Sequence, residues 1–174
     1  VKWLVLNYHG KIIFTSTCSV YGMNNDLIDE ESKPNPLSMY ASTKLDAEQY
    51  IIKHYDNYLI YRLGTLFGIG DDFSRLRLDL VTNVLTYKAT IGEPLTVFGG
   101  EQWRPLLHVR DVSTAILHGL EKDTKGLFNL SDQNYTIKEI AEAVNTIIPN
   151  TKVTYTELPF EDLSLYASLL LPVA

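Results

Sequence analysis

Short apolar, β-branched runs alternate with helical segments along the chain, and this alternation restricts its fold more than any other feature. The pattern predicts strands at Lys11–Ser16, Leu59–Leu63, Leu95–Phe98, Arg104–Val109 and Leu127–Leu130. It predicts helices at Lys2–Tyr8, at Met39–Tyr55 and at Arg75–Tyr87, and Ser38 is the expected N-cap of the second. A fourth helix is expected after Asp111 as its cap, and a fifth after a capping box formed by Thr136 and Glu139. Strands linked through helices run parallel, so we expect an α/β fold with a mostly parallel sheet.

The spacing of apolar residues also predicts which side of each helix faces the core. The inward sets are Leu80, Val81, Val84 and Leu85, then Val112, Ala115, Ile116, Gly119 and Leu120, and finally Ile137, Ile140, Ala141, Val144, Ile147 and Ile148.

Composition excludes several classes of function. The 174 residues are 45% hydrophobic and 21% charged, which is typical of a soluble globular domain, and no apolar run is long enough to span a bilayer. A net charge of −6 argues against broad nucleic-acid binding. Cys18 is the single cysteine, which excludes an internal disulfide and a cysteine-based zinc site. We expect a cytoplasmic protein with no metal, membrane or nucleic-acid partner.

Tyr40 and Lys44 form a Y-x-x-x-K motif in the helix predicted at Met39–Tyr55. Residues four apart lie on one helix face, so the ammonium can act on the phenol. A nearby cation favours the phenolate, which can take a proton from a substrate hydroxyl while hydride leaves the carbon that bears it. The motif alone is weak, because a chain with 11 tyrosines meets it by chance, and the alternative is a surface tyrosine on an amphipathic helix.

Further motifs surround this pair. Thr15–Gly22 (Thr-Ser-Thr-Cys-Ser-Val-Tyr-Gly) precedes it, and Tyr61–Gly68 and Arg104–Val112 follow it. In this order and spacing the series resembles the extended short-chain dehydrogenases of the NAD-dependent epimerase/dehydratase family, which modify nucleotide sugars. The resemblance covers about Lys11–Pro149 and implies the C-terminal part of a Rossmann-like parallel sheet plus a small substrate-binding subdomain.

The resemblance implies roles for the catalytic and cofactor-binding residues. Thr17 bridges the substrate oxygen and the phenol, Tyr40 is the acid/base, and Lys44 holds the nicotinamide ribose. Besides Tyr40 and Lys44, the residues implied at the cofactor, NAD or NADP, are Ser16, Leu63 and Gly64. The alternative for Thr17 is an end-of-strand hydroxyl that bonds to backbone.

On the substrate side, the resemblance implies that Thr17, Thr65 and Arg104 bind a nucleotide-diphosphate sugar. The planar guanidinium of Arg104 suits phosphate oxygens, and its alternative is a surface salt bridge. We interpret His108 as structural, because it lies in an extended apolar piece.

One expected motif is missing. No G-x-G-x-x-G or G-x-x-G-x-x-G occurs, although the family uses such a turn to hold the pyrophosphate. The chain also opens on Val1 and a predicted helix end, which suggests a missing front, and its apolar end suggests a frameshift or truncation. We expect residues 1–66 to be the rest of the dinucleotide-binding domain, 67–160 mostly the substrate-binding subdomain with returning elements, and 161–174 an atypical tail.

The reaction subtype depends on two residues. Cys18 and Ser19 stand where the 4,6-dehydratases carry Asp-Glu, which disfavours dehydration and leaves Cys18 a small packing residue. We therefore expect an epimerase that oxidises a sugar carbon transiently and then returns the hydride, weak or inactive as this chain alone. The alternatives are a catalytically silent fragment that binds a ligand or partner, and a reductase or dehydratase of the same family. The resemblance further implies polysaccharide biosynthesis and a homodimer of the intact protein through the Tyr/Lys helix.

Overall fold

The computed structural model describes residues 1–23, 27–70, 72–73, 75–149, 151–157 and, by backbone, 169–170. The helices are α1 (Lys2–Asn7), α2 (Met39–His54), α3 (Val81–Thr90), α4 (Val109–Glu121) and α5 (Ile137–Ile147), with a 3-10 helix at Cys18–Tyr21. The strands are β1 (Ile12–Thr17), β2 (Leu27–Ile28), β3 (Tyr58–Leu63), β4 (Thr65–Phe67), β5 (Leu95–Phe98), β6 (Trp103–His108), β7 (Gly126–Leu130), β8 (Asn134–Thr136), β9 (Val153–Thr156) and β10 (Leu169–Leu170).

The strands pair almost entirely in parallel, which confirms the predicted α/β class. A three-stranded sheet has the order β1-β3-β7, with Ile12 opposite Tyr58 and Leu59 opposite Gly126. A second sheet has the order β4-β6-β8, in which β6 and β8 are antiparallel. Two short parallel pairs, β5-β9 and β2-β10, complete the described pairing.

Alternating strand residues bury the two faces of the β1-β3-β7 sheet against different helices. Ile12 and Ile60 pack against α1 and α2, whereas Leu59 and Tyr61 pack against α4. A Cβ on Gly119 would collide with the Leu59 side chain, so glycine lets α4 approach the sheet closely. A separate core joins α3, α5 and β5. The first sheet and the separate core therefore bury apolar surface independently.

Two predicted helix starts are confirmed by their caps. The Ser38 Oγ accepts a hydrogen bond from the Ala41 N–H at 3.1 Å and opens α2. The Thr136 Oγ1 accepts from the Glu139 N–H at 3.1 Å, while a Glu139 oxygen accepts from the Thr136 N–H at 2.7 Å. The predicted capping box is therefore present.

The predicted start of the third helix is wrong. Residue 75 was expected to begin it, but α3 begins at Val81 and continues to Thr90. The Arg77 carbonyl accepts hydrogen bonds from the Leu80 N–H at 3.3 Å and from the Asn83 Nδ2 at 3.2 Å, which makes a turn there. Arg77 also holds Asp79 in an ion pair at 2.7 Å. This local bonding competes with helix formation before Val81.

The predicted cap of α4 is also wrong. Asp111 lies in the first turn, and the cap is His108, whose Nδ1 accepts from the Arg110 N–H at 3.2 Å. Strand β6 runs directly into the helix, so the residue that ends the strand is the one that caps.

Two predicted inward residues are exposed. Ile147 is 80% exposed, because it is the last residue of α5 and the partly buried Ile148 packs on the core instead. Leu120 is exposed in the last turn of α4, near the helix end at Glu121. The helical spacing of apolar residues shows which side of a helix faces the core, but not how far along the helix the core extends.

The predicted atypical tail, residues 161–174, lies outside the described residues except for the backbone of 169–170. In the part of the chain that the structure describes, no helix is both long and apolar enough to cross a membrane. The described side chains also form no group of three or more His, Cys, Asp or Glu residues that could hold a metal ion.

Candidate active site

Thr17 lies at the carboxyl end of β1, where a parallel sheet presents its ligand-binding edge. Its side chain is buried, and it caps the 3-10 helix that follows. The Oγ1 accepts a hydrogen bond from the Ser19 N–H at 3.2 Å and donates to the Ser19 Oγ at 3.1 Å. The backbone bond foreseen as the alternative for Thr17 is therefore present, and it holds the hydroxyl at the sheet edge.

Tyr40 and Lys44 come together on one face of α2, as their spacing predicts. The Lys44 Nζ lies 5.9 Å from the centroid of the Tyr40 ring and 4.9 Å from that of Phe14. The same Nζ donates to the Thr15 carbonyl at 2.8 Å, which ties the ammonium to β1. Tyr40 is 56% exposed, so its phenol is accessible to a ligand.

The implied cofactor residues Ser16, Leu63 and Gly64 share this edge. Leu63 is opposite Thr17 in the strand register, and the Gly64 N–H donates to the Leu130 carbonyl at 2.9 Å. A Cβ on Gly64 would lie 2.7 Å from the Pro105 carbonyl oxygen, so only glycine fits between β3 and β6. The Ser16 Oγ is buried and has no hydrogen-bond partner among the described groups.

A cleft of about 520 Å³ opens beside this edge, a volume within the range of small-molecule sites. Its walls come from the 3-10 helix, the start of α2, β4, α3, β5 and β6. The lining includes Cys18 and Ser19, which follow Thr17, and Ser38, which precedes Tyr40 by two residues. The cleft therefore reaches the neighbours of both Thr17 and Tyr40.

Thr65 and Arg104 both line this cleft. Arg104 is buried, and its Nη1 donates to the Trp103 carbonyl at 2.8 Å. The guanidinium therefore lies in the cleft wall and is not on the open surface of the protein. Asp79 and Lys88, from the segment around α3, also line the cleft.

Two ionisable groups of the cleft have displaced pKa values. Burial raises the pKa of the Cys18 thiol to about 11, although the positive charge of Arg104 opposes this shift. The thiol is therefore protonated at neutral pH, which suits a packing residue and not a nucleophile. Hydrogen bonds from Arg77 hold the pKa of Asp79 at about 2, so this carboxylate is charged at the rim.

His108 has a structural environment. Its ring packs edge-on against Phe67, with centroids 5.1 Å apart, and its Nδ1 caps α4. These contacts agree with the interpretation of His108 as a structural residue.

Sequence reasoning missed a buried polar network beneath α2. Arg62 of β3 pairs with Glu48 of α2 and also bonds Tyr21, which in turn bonds Asn129 of β7. The signal was present, since Arg62 is a charge inside a strand predicted to be buried, and a buried charge requires a partner. The partner could not be named from the sequence because it lies on another element.

Comparison with known proteins identifies a family that matches most of the chain. The sequence model of the NAD dependent epimerase/dehydratase family matches residues 2–131. N-acetyl-alpha-D-glucosaminyl-diphospho-ditrans,octacis-undecaprenol 4-epimerase of Escherichia coli O157:H7 is 26% identical over 151 residues, 83% of this chain and 45% of that protein. Methionine adenosyltransferase 2 subunit beta of Xenopus laevis is 28% identical over 139 residues, 76% of this chain and 40% of that protein.

Solved structures agree in fold. The match with UDP-glucose 4-epimerase of Thermus thermophilus, solved in complex with NAD, has a TM-score of 0.79 at 23% identity. It covers 98% of this chain and 58% of that enzyme's chain. At this identity the likeness concerns the fold alone. The chain spans less than half the length of the two curated relatives.

Proposed function

The chain belongs to the NAD dependent epimerase/dehydratase family, and from this premise we propose that it supplies the proton-transfer residues and substrate cleft of a nucleotide-sugar epimerase. The observation that carries the proposal is the position of the cleft, whose lining reaches residues adjacent to Thr17 and close to Tyr40. A sugar at the end of the cleft that meets Cys18 and Ser38 would lie near the Thr17 hydroxyl and the Tyr40 phenol, with the Lys44 ammonium one helical turn further along α2. Such groups can take the proton from a sugar hydroxyl while hydride leaves the carbon that bears it.

The residues at the sheet edge fit a dinucleotide. The Ser16 Oγ is a buried polar atom without a protein partner among the described residues, and a ligand hydroxyl or amide would satisfy it. Ser16, Tyr40, Lys44, Leu63 and Gly64 would hold the cofactor, for which we propose NAD. When bound, NAD supplies the centre that accepts hydride from the sugar carbon and returns it.

The protein's own part is to move a proton. The Tyr40 Oη takes the proton from the sugar hydroxyl as hydride leaves, and Thr17 Oγ1 holds the same sugar oxygen in place. An ammonium has three N–H donors, and Lys44 gives one to the Thr15 carbonyl, which leaves others for a ligand. Its positive charge lies 5.9 Å from the centroid of the Tyr40 ring, on the same face of α2.

For the substrate we propose a nucleotide-diphosphate sugar. Arg104 is a buried cation in the cleft wall, and a guanidinium binds diphosphate oxygens in pairs. Thr65 lines the same cleft and can donate to a sugar hydroxyl. Support comes from UDP-glucose 4-epimerase of Thermus thermophilus, which shares the fold.

We propose that this chain alone binds NAD weakly and turns over little substrate. Its 174 residues contain no Gly-rich turn to hold a pyrophosphate. In this proposal residues 1–66 contribute the rest of the dinucleotide-binding domain and 67–160 mostly the substrate-binding subdomain. We propose a homodimer for the intact protein, through α2, where Met39 and Ile52 are exposed.

Calorimetric titration tests both parts of the proposal. We expect UDP-glucose to bind the chain, and Arg104→Ala to abolish that binding. Arg110→Ala is the matched control, because Arg110 is exposed and does not line the cleft. Equal UDP-glucose affinity in Arg104→Ala and wild type would refute the cleft assignment, and micromolar NAD binding would refute the weak-cofactor proposal.

A second candidate is a binding module without turnover. It is favoured by the 28% identity to a protein whose name describes a subunit of a methionine adenosyltransferase. Slow turnover of UDP-glucose in excess NAD that Tyr40→Phe abolishes favours the enzyme. Ligand binding that Tyr40→Phe leaves intact, with no turnover even in saturating NAD, favours the module. The product separates an epimerase from a reductase or dehydratase, since only epimerisation leaves the sugar's oxidation state and composition unchanged.

A further inference from the structure

The face of the sheet under α2 changes from apolar to polar close to the carboxyl edge. Phe14, Ile60 and Leu127 stand opposite one another in the register and form part of the apolar core under α2. Two residues further along, the matching row is Ser16, Arg62 and Asn129, all of them buried. A polar row at this depth is costly unless its members are bonded to one another or to neighbours.

Arg62 is the centre of this row. It is 4% exposed, and its partner Glu48 in α2 is 0% exposed. The Arg62 Nη2 donates to the Glu48 Oε2 at 2.7 Å, and the Arg62 Nε donates to the same oxygen at 3.1 Å. The guanidinium therefore grips the carboxylate with two nitrogens, an arrangement that fixes direction as well as distance.

The third guanidinium nitrogen reaches the segment after β1. The Arg62 Nη1 donates to the Tyr21 Oη at 2.8 Å, and the Tyr21 Oη donates to the Asn129 Oδ1 at 2.8 Å. Burial raises the pKa of the Tyr21 phenol, so it remains protonated and keeps this donor. One buried arginine thus joins α2, the 3-10 helix and β7.

Two of these elements, α2 and the 3-10 helix, carry or adjoin residues of the proposed catalytic set. Glu48 follows Lys44 by four residues and Tyr40 by eight, so the three share one face of α2. Tyr21 ends the 3-10 helix that Thr17 caps. A rotation of α2 would therefore move Tyr40 relative to Thr17, and the Arg62 bonds oppose such a rotation.

We propose that Arg62, Glu48 and Tyr21 are positioning residues that fix the distance and orientation of the Tyr40 phenol relative to the Thr17 hydroxyl. The inference rests on the proposed function of Thr17 and Tyr40. Stability alone is a poor reason for such a pair, because replacing a buried ion pair with apolar residues is often neutral or stabilising. What apolar residues cannot supply is the directional link between three elements.

The test separates position from stability by NMR of the chain with ¹³C-labelled tyrosine and threonine. The Tyr40 and Thr17 signals are assigned with Tyr40→Phe and Thr17→Ser. In the doubly apolar variant Glu48→Leu/Arg62→Leu we expect a folded protein whose Tyr40 and Thr17 signals are both displaced. Lys11→Met is the control, because it removes an ion pair with Asp123 away from this network and should leave both signals in place.

Tyr21→Phe makes the test independent of how the double variant folds. It deletes one hydroxyl and leaves the Arg62–Glu48 pair, and we expect it to displace the Thr17 signal. Wild-type Thr17 and Tyr40 signals in a folded Tyr21→Phe protein overturn the proposal, and so do wild-type signals in a folded double variant. Titration with UDP-glucose is done in parallel, since failure of the wild type to bind counts against the proposed function and leaves the NMR comparison decisive for positioning.

Discussion

Gly64→Ala should loosen the junction between the cofactor edge and the substrate cleft. Gly64 links β3 to β4, and the next residue, Thr65, lines the cleft. The new Cβ would lie 2.7 Å from the Pro105 carbonyl oxygen and 3.3 Å from the Ser131 Cβ. The closer neighbour is backbone of β6, which cannot rotate away as a side chain would, so β3 and β6 must separate.

The expected cost follows from this forced movement. Overpacking of this kind costs about 1–3 kcal/mol of unfolding free energy. For a chain of this size each kcal/mol lowers the melting temperature by about 2–4 °C, which gives a fall of about 2–12 °C. Thr65 and Arg104 should also move apart, because they lie on β4 and β6, and the affinity for UDP-glucose should fall with the distance.

Gly92→Ala is the matched control for both effects. Gly92 has φ +77° and nothing within 4 Å of an added Cβ, so alanine there costs roughly 1–2 kcal/mol through backbone conformation alone. The two variants should lose similar stability by thermal circular dichroism, but only Gly64→Ala should lose UDP-glucose affinity by calorimetry. A Gly64→Ala protein with wild-type melting temperature would refute the steric reasoning, and equal loss of affinity in both variants would refute the link to the cleft.

Three further outcomes are expected. Because burial raises the pKa of the Cys18 thiol to about 11, a thiol reagent at pH 8 should modify the native chain very slowly and the urea-unfolded chain completely, and rapid native labelling would contradict the burial. Because hydrogen bonds from Arg77 lower the pKa of Asp79 from 3.8 to about 2, this pair stabilises the fold above about pH 4 and loses its effect as the pH falls through 2. NMR titration of the Asp79 carboxyl should show its midpoint rise in Arg77→Gln, and an unmoved midpoint would refute Arg77 as the cause of the low pKa. Ser38→Ala removes the cap of α2 and should cost about 1 kcal/mol in urea unfolding, with Ser113→Ala, an exposed mid-helix serine, as a control that changes little.

The sequence alone determined the features that depend on near neighbours. The starts of α2 and α5 were predicted because a cap bonds to an N–H only three residues away. The buried strands β1, β3 and β7 were predicted because short apolar runs show them directly. The pairing of Tyr40 with Lys44 follows from helical spacing, so the central motif could be placed on one face of α2 before any contact was known.

Tertiary structure decided everything that joins distant segments. Strands β4, β8 and β9 were not predicted from the sequence. Each has only three or four residues and is held by a partner strand far along the chain. The cleft likewise needs the 3-10 helix, α3 and β6 to meet, and no local pattern measures that distance. Arg62 shows the division most clearly: its charge in an apolar strand indicated that a partner must exist, but only the packing of α2 on the sheet chose Glu48.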